Sequence, residues 1–396
     1  MMNNNVLIIG NGFDLYHKLP TRYTDFLFLV RNWEKFYSLY TEQLIKSHNM
    51  RSETEHEQFS VSVNEYGKLT EEALEDFANH AICLDNESIS ILGDIISRNV
   101  WIKYFIETGY SSEGWIDFEA EIEKLLVLVE EFCTCEIYKC EGKVMSQVIN
   151  PTMYKAIKCV MTHSKAMPLN VGLYSKSDIE KIVYEDVKIQ LLAELKIELN
   201  DLIRALTIYM REFVGNIKVS CFSQQIKELK NINLLNFNYT YTYKSVYGSA
   251  NSNHQVHGSL ANDDIVLGVS DNAFNNLDYV YFQKYFQRIQ KKTGAYYKTW
   301  IPKEVTTLED TPIKVYIMGH SLGMTDKEIL KDFFLEKYVS EITIFYHSQY
   351  AYEQLVISLI EMFGKDFVIE QTGSERFKFV ELKSAEIGRA SCRERV

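Results

Sequence analysis

The sequence predicts an α/β protein in which a doubly wound parallel sheet is split by a large helical insertion, and three observations predict it. The chain opens on Val6-Leu7-Ile8-Ile9, a β-branched apolar run cut by Gly10-Asn11-Gly12, which is the pattern of a buried strand entering a tight turn. Between about Phe26 and Val219 the apolar spacing becomes three and four, and Gly and Pro grow scarce, as in helices. After about residue 230 short apolar runs return, at Leu234–Asn238, Ile265–Val269, Val315–Gly319 and Ile342–Tyr346. The last two each precede a helical pattern, the alternation of βαβ units. Residues 1–30 and 230–385 are therefore expected to form one discontinuous α/β domain, and residues 31–229 the inserted helical domain.

Within the insertion, Ile179, Val183, Val187, Leu191, Leu195, Leu199, Leu202 and Leu206 mark one long helix. Ser177-x-x-Glu180 is a capping-box signature for its start, and a run to Phe213 would span on the order of 50 Å. A helix that long packs in a bundle or across a dimer, which leaves a homo-oligomer open as a partner state. The segment Ile387–Val396 has no apolar period and a sudden basic bias, and is expected to be an assembly scar rather than part of the fold.

Composition narrows the function. With 396 residues, 46% hydrophobic, the chain can bury a large core, which excludes disorder and small disulfide scaffolds. A formal charge of −12 disfavours a sequence-blind grip on nucleic-acid phosphates. No apolar run reaches the roughly 18 residues of a bilayer span, so no membrane partner and a cytoplasmic location are expected, with dispersed, reduced cysteines.

In open parallel sheets ligands bind outside the carboxyl ends of the strands. The residues there are polar: Gly10-Asn11-Gly12 with Phe13 and Asp14, Asn236 to Tyr239, His257-Gly258-Ser259, Gly319-His320-Ser321 and His347. Any one group could merely serve its turn; five together point to a site. Two glycines allow backbone amides to approach a phosphate at a helix N-terminus, so a nucleotide is the expected ligand. The third glycine of the dinucleotide fingerprint is replaced by Leu15, which argues against a generic dehydrogenase. A rival lies in Gly319-His320-Ser321-Leu322-Gly323, which matches the G-x-S-x-G nucleophile elbow of serine hydrolases. It would make Ser321 the nucleophile, His347 the base and Asp326, Glu328, Asp332, Glu336 or Glu341 the acid, but leaves about 65 residues for the remaining sheet.

Leu7-Ile8-Ile9-Gly10-Asn11-Gly12-Phe13-Asp14-Leu15, Leu19-Pro20-Thr21, Tyr23, Trp115-Ile116-Asp117-Phe118-Glu119, Asn236–Thr240, His257-Gly258 and Gly319-His320-Ser321 closely resemble the AbiH-type bacterial abortive-infection family. That resemblance implies a phage-defence effector, toxic once an unknown phage trigger releases it. The same ordered motifs are similar to a diverged sirtuin-like domain, which implies a Rossmann-like sheet holding NAD. Carried over, the similarity puts Asn238 at the nicotinamide ribose and His257 as general base or ribose-orienting group. Gly10, Gly12, Gly319 and Ser321 would hold phosphates and ribose, with Asn11, Phe13, Asp14, Tyr239, Gly258 and His320 lining the pocket. Asn11 stands where the family has a small residue and Thr240 where it has an acid, so the pocket is better matched than the catalytic step. The implied activity is hydrolysis of NAD to nicotinamide and ADP-ribose; a nucleotide sensor without turnover is the alternative.

Other constellations have plainer readings. Cys133-x-Cys135, Cys140 and Cys159-x3-His163 invite zinc, but cysteines at helical spacing more often fill a core, so no metal is expected. Asp117 and Glu119 suit the acidic first turn of a helix. Tyr281–Lys292 reads as an amphipathic helix with a solvated basic face, from which Lys284 or Arg288 could reach a nucleotide. His254 reads as an exposed loop residue.

Overall fold

The computed structural model describes residues 5–48, 58–64, 67–109, 116–134, 151–163, 184–271, 273–301, 312–383 and 386–387. Among the described residues eight strands run in chain order: β1 (Asn5–Ile9), β2 (Cys221–Phe222), β3 (Ile232–Asn236), β4 (Ser252–Gln255), β5 (Ile313–Met318), β6 (Val339–Tyr346), β7 (Phe377–Glu381) and β8 (Glu386–Ile387). Six of them form one sheet in the order β4-β3-β1-β5-β6-β7. Every pairing in it is parallel. β1 is central; the strands that follow it fill first one side and then, from β5 onward, the other.

Period-2 alternation sends each strand's side chains to opposite faces. Val6, Ile8, Leu235, Val315, Ile317, Ile342 and Ile344 pack with Leu330, Phe333, Phe334, Leu355 and Leu359 of the helices Lys327–Phe334 and Gln349–Phe363. Leu7, Ile9, Leu234 and Met318 meet Phe13, Ile226 and Tyr243 on the other face. A sheet covered on both sides is the environment that parallel strands require.

The expected runs at Leu234, Val315 and Ile342 are strands; Ile265–Val269 is not. Its apolar side chains sink into the helical core, and the backbone finds partners other than a ladder. Leu267 donates to Gln287 Oε1 at 3.1 Å and accepts from Gln287 Nε2 at 2.8 Å, while Val269 donates to the Phe282 carbonyl. The sheet edges β4 and β7 are instead made of mixed polar sequence.

The helical half is built on the helix Tyr184–Ile208, which runs on into a π-helical segment Tyr209–Val214. The expected start at Ser177 lies outside the described residues. Glu198 on this helix caps the start of a neighbouring one, Val100–Tyr104: its carboxylate accepts from Val100 N at 3.0 Å, and its carbonyl from Asn99 Nδ2 at 2.7 Å. Trp101, fully buried, donates to the Leu195 carbonyl at 2.9 Å. The helical core also takes in Leu19, Phe26–Val30 and residues 265–282, so it closes over the chain on either side of β1 and β4. Ile387, assigned from sequence to the tail, pairs antiparallel with Cys221; residues 388–396 lie outside the described set. No helix among the described residues is long and apolar enough to cross a membrane.

Candidate functional site

The strand order reverses at β1 and β5, and the turns leaving these strands lie against one another. Gly12 N donates to Gly319 O at 2.8 Å and Phe13 N to Gly10 O at 2.8 Å, while Gly10 N bonds Met318 O. A β-carbon on Gly12 would sit 2.8 Å from Gly319 Cα, and one on Gly319, at φ +70°, would sit 2.0 Å from Phe13 N. The glycines therefore have a packing reason of their own. The amides of Gly10, Gly12 and Phe13, expected to cradle a phosphate, are engaged inside the protein, which corrects the physical basis of that expectation for these three. Phe13 is a second correction: it is fully buried in the lower core beside His17, Tyr243 and Tyr247 rather than lining a pocket. Asn11 and Ser321 are the exposed residues of the two turns.

After β3, Asn236 folds the chain over with an Asx turn, its Oδ1 accepting from Asn238 N at 2.8 Å and its Nδ2 donating to Thr240 O at 3.1 Å. Asn238 Nδ2 then donates to Gly10 O at 3.0 Å, tying the β3 end to the glycine turn. Asp14 is 1% exposed; Thr240 Oγ1 donates to its Oδ2 at 2.7 Å, and its Oδ1 has no hydrogen-bond partner among the described residues. Burial pushes its carboxyl up to about 6 against the hydrogen bonds of Thr240, Thr242 and Asn238.

Five titratable side chains from four parts of the chain converge above β4 and β5. His257 Nε2 lies 3.2 Å from Asp326 Oδ1, and His320 Nε2 lies 3.5 Å from Asp326 Oδ2. His320 Nδ1 accepts from Leu322 N at 2.9 Å, which leaves the ring proton on Nε2, toward Asp326. Phe237 stands edge-on to both imidazoles. Lys284 Nζ, 1% exposed, bridges Asp326 at 3.4 Å and Glu119 Oε2 at 2.8 Å.

The charges follow from this arrangement. Burial alone would raise the Asp326 carboxyl, but Lys284, His257 and His320 hold it well below the carboxylate range. Burial and then Lys284 push His257 down to about 4, so its ring is neutral at pH 7. Asp326 and Glu119 outweigh burial at Lys284 and keep it cationic. Glu119 has Lys284 but neither of the imidazoles that face Asp326: burial lifts it to about 7 against the pull of Lys284, with Asp326 and Asp117 adding to the rise. A fixed anion, a neutral imidazole and a carboxyl titrating near 7 are what acid–base chemistry at cellular pH uses. Beside Glu119, Tyr239 donates to Val266 O at 3.1 Å, and burial raises its phenol and that of Tyr23.

Of the residues singled out from sequence, the structure brings His257, His320 and Tyr239 together here, and beside them Glu119, which in sequence reads as part of an acidic helix start. Asp117 does only what a helix start requires, accepting from Glu119 N at 2.9 Å and Ala120 N at 3.3 Å. Glu119, two positions on, turns the other way into the cluster. Trp115 lies outside the described residues. The basic stretch is not a solvated face: Lys284 is buried, Arg288 pairs with Asp271 at 2.5 Å, and Lys291 donates to the Ile265 carbonyl. His254 is buried in β4 against Tyr297 rather than exposed. Gly258, at φ +77°, lets the chain pass within contact of Asp264, whose Oδ1 accepts from Ser259 N at 2.6 Å. Gly258, Ser259, His254 and Lys292 line a polar pocket of about 220 Å³.

The nucleophile elbow is not built. Positive φ falls on Leu322 (55°), not on Ser321, and no histidine hydrogen-bonds Ser321 Oγ among the described residues. His257 and His320 both turn to Asp326 instead.

Fold and site thus define an α/β protein with a buried acid–base cluster at the strand ends, roofed by helices. The family model of bacteriophage abortive infection AbiH matches residues 6–347, and the chain belongs to that family. A search of curated proteins and a search of solved structures each return no match. Membership implies a role in phage abortive infection.

Proposed function

We propose that this AbiH protein is a cytoplasmic effector that binds NAD across the β1/β5 crevice and hydrolyses it to nicotinamide and ADP-ribose, halting host and phage together. The observation that carries the reading is the Glu119–Lys284–Asp326–His257 cluster at the carboxyl edge of a sheet ordered as in doubly wound, Rossmann-like dinucleotide-binding domains. The crevice of such a sheet opens where its strand order reverses, and the cluster stands beside that point.

Cleaving the bond between nicotinamide and ribose leaves the electron pair on nicotinamide and an oxocarbenium-like ribose. The Asp326 anion, held ionised by its three donors, stabilises that cation in a site shielded from water. Ionised Glu119 takes the proton of the attacking water, whose oxygen bonds to the ribose carbon. Neutral His257 orients ribose hydroxyls. Asn238 sets the height of the glycine turn, and exposed Asn11 and Ser321 meet the phosphates from the rim in place of the engaged amides. The pocket beside Gly258 and Ser259 has room for a ribose or base edge rather than a whole dinucleotide.

Induced expression in bacteria tests the proposal. Wild type should arrest growth and deplete NAD, whereas Glu119→Gln and His257→Ala should do neither while folding normally. Arrest without NAD loss would overturn the substrate, and unchanged arrest in both variants would overturn the site.

A further inference from the structure

A second cluster lies away from the strand ends. The helix Val100–Tyr104 passes into a π-helical turn, Phe105–Gly109, that carries Glu107 up to the helix Pro151–His163. Cys159 and His163 are four positions apart on that helix and so share one face. His163 Nε2 lies 2.9 Å from Glu107 Oε1, and the Cys159 thiol also bonds this carboxylate. The donor atoms of all three residues fall within 4.8 Å of one another, the one such grouping among the described residues.

We propose that Glu107, Cys159 and His163 bind a thiophilic divalent cation of the zinc class. Sulfur, imidazole nitrogen and carboxylate oxygen are the zinc donor set, and thiolate with imidazole excludes magnesium and calcium as the preferred ion. Zinc–donor bonds of about 2.0–2.3 Å put the ligands of one ion under about 4 Å apart, so side-chain rotation alone closes the site. Cys159 is buried on the inner side, while His163 and Glu107 remain 28% and 47% exposed, which leaves an outer position for water. Local π-helical turns concentrate at functional positions, and this one places Glu107 on the thiol.

Zinc takes the thiolate, so binding displaces the Cys159 thiol proton and affinity rises with pH. The ion also fixes Phe105, whose ring stacks at 4.1 Å on Phe118, the neighbour of Glu119.

The test is titration of the chelator-stripped full chain with cobalt(II). One equivalent should give a thiolate-to-cobalt charge-transfer band with visible d–d bands, bleached by zinc. Cys159→Ser should abolish the charge-transfer band, and Cys83→Ser should keep it. His163→Gln and Glu107→Gln, at partly exposed positions that should not disturb folding, should each weaken binding by more than about tenfold. Zinc should raise the melting temperature of wild type and not of Cys159→Ser. No charge-transfer band in wild type, or the same band in Cys159→Ser, overturns the site. Equal affinity in wild type, His163→Gln and Glu107→Gln does so too.

Discussion

Lys284 is the residue on which the site's electrostatics turn. It is buried between two carboxylates, so Lys284→Met leaves Asp326 and Glu119 facing each other without a cation. That should cost roughly 3–5 kcal/mol in denaturant unfolding and lift the Glu119 carboxyl further. Glu119 itself sets a pH limb. As the base it must be ionised, so NAD turnover should rise with pH through about 7, and Glu119→Gln should remove both the turnover and the limb. Asp14 should show in stability instead. Its carboxyl is raised from 3.8 to about 6 in the fold, so its contribution is fully present below pH 4 and is lost as pH rises through 6. Unfolding of wild type against Asp14→Asn should diverge between pH 4 and pH 7, by up to roughly 3 kcal/mol in favour of the variant. Parallel stability curves would refute the raised carboxyl. His320 was legible in sequence because it follows the apolar run of β5, whereas His257 stood out through the family resemblance, its own strand having no apolar signature. Glu119 was not, because helical spacing shows that 117 and 119 diverge without showing which one has a buried lysine waiting.

At the level of elements, the two glycine turns act as one unit. Gly319→Ala would drive a β-carbon into the Phe13 amide at a φ few side chains adopt, and should destabilise by about 3 kcal/mol or more. Gly323→Ala, 3.5 Å from its nearest neighbour, should cost far less. Equal melting temperatures for the two variants would contradict the packing account of the turns. Strands β1, β3, β5 and β6 could be read directly from apolar runs, since strands buried on both faces carry little else. β4, Ser252–Gln255, could not, because an edge strand of Ser, Asn, His and Gln has no apolar signature. Ile265–Val269 failed in the opposite sense. A buried apolar run looks like a strand whether a ladder or a single glutamine side chain satisfies its backbone.

Across the whole molecule, the helical half acts as the roof of the sheet's carboxyl edge, supplying Glu119 from above while His257, His320 and Asp326 come from the sheet's own loops. The insertion after β1 was visible as a change of period. Its function as a roof was not, since periodicity carries no information on which end of a sheet a helix covers. A further consequence follows from the shared core: residues 19–30 and 265–282 belong to the helical cluster as much as to the sheet. Excising 31–229 should therefore leave a sheet fragment that fails to fold cooperatively, rather than a stable nucleotide-binding domain. A sharp thermal transition in that fragment would show that the two halves are independent.

Turnover of NAD by the strand-end cluster is read by incubating purified protein with NAD and separating nicotinamide and ADP-ribose by chromatography. Wild type should yield both products in equal amounts, with none from His257→Ala or Glu119→Gln. Absence of both products from wild type would contradict it, and heat of NAD binding without product would leave a nucleotide sensor in its place.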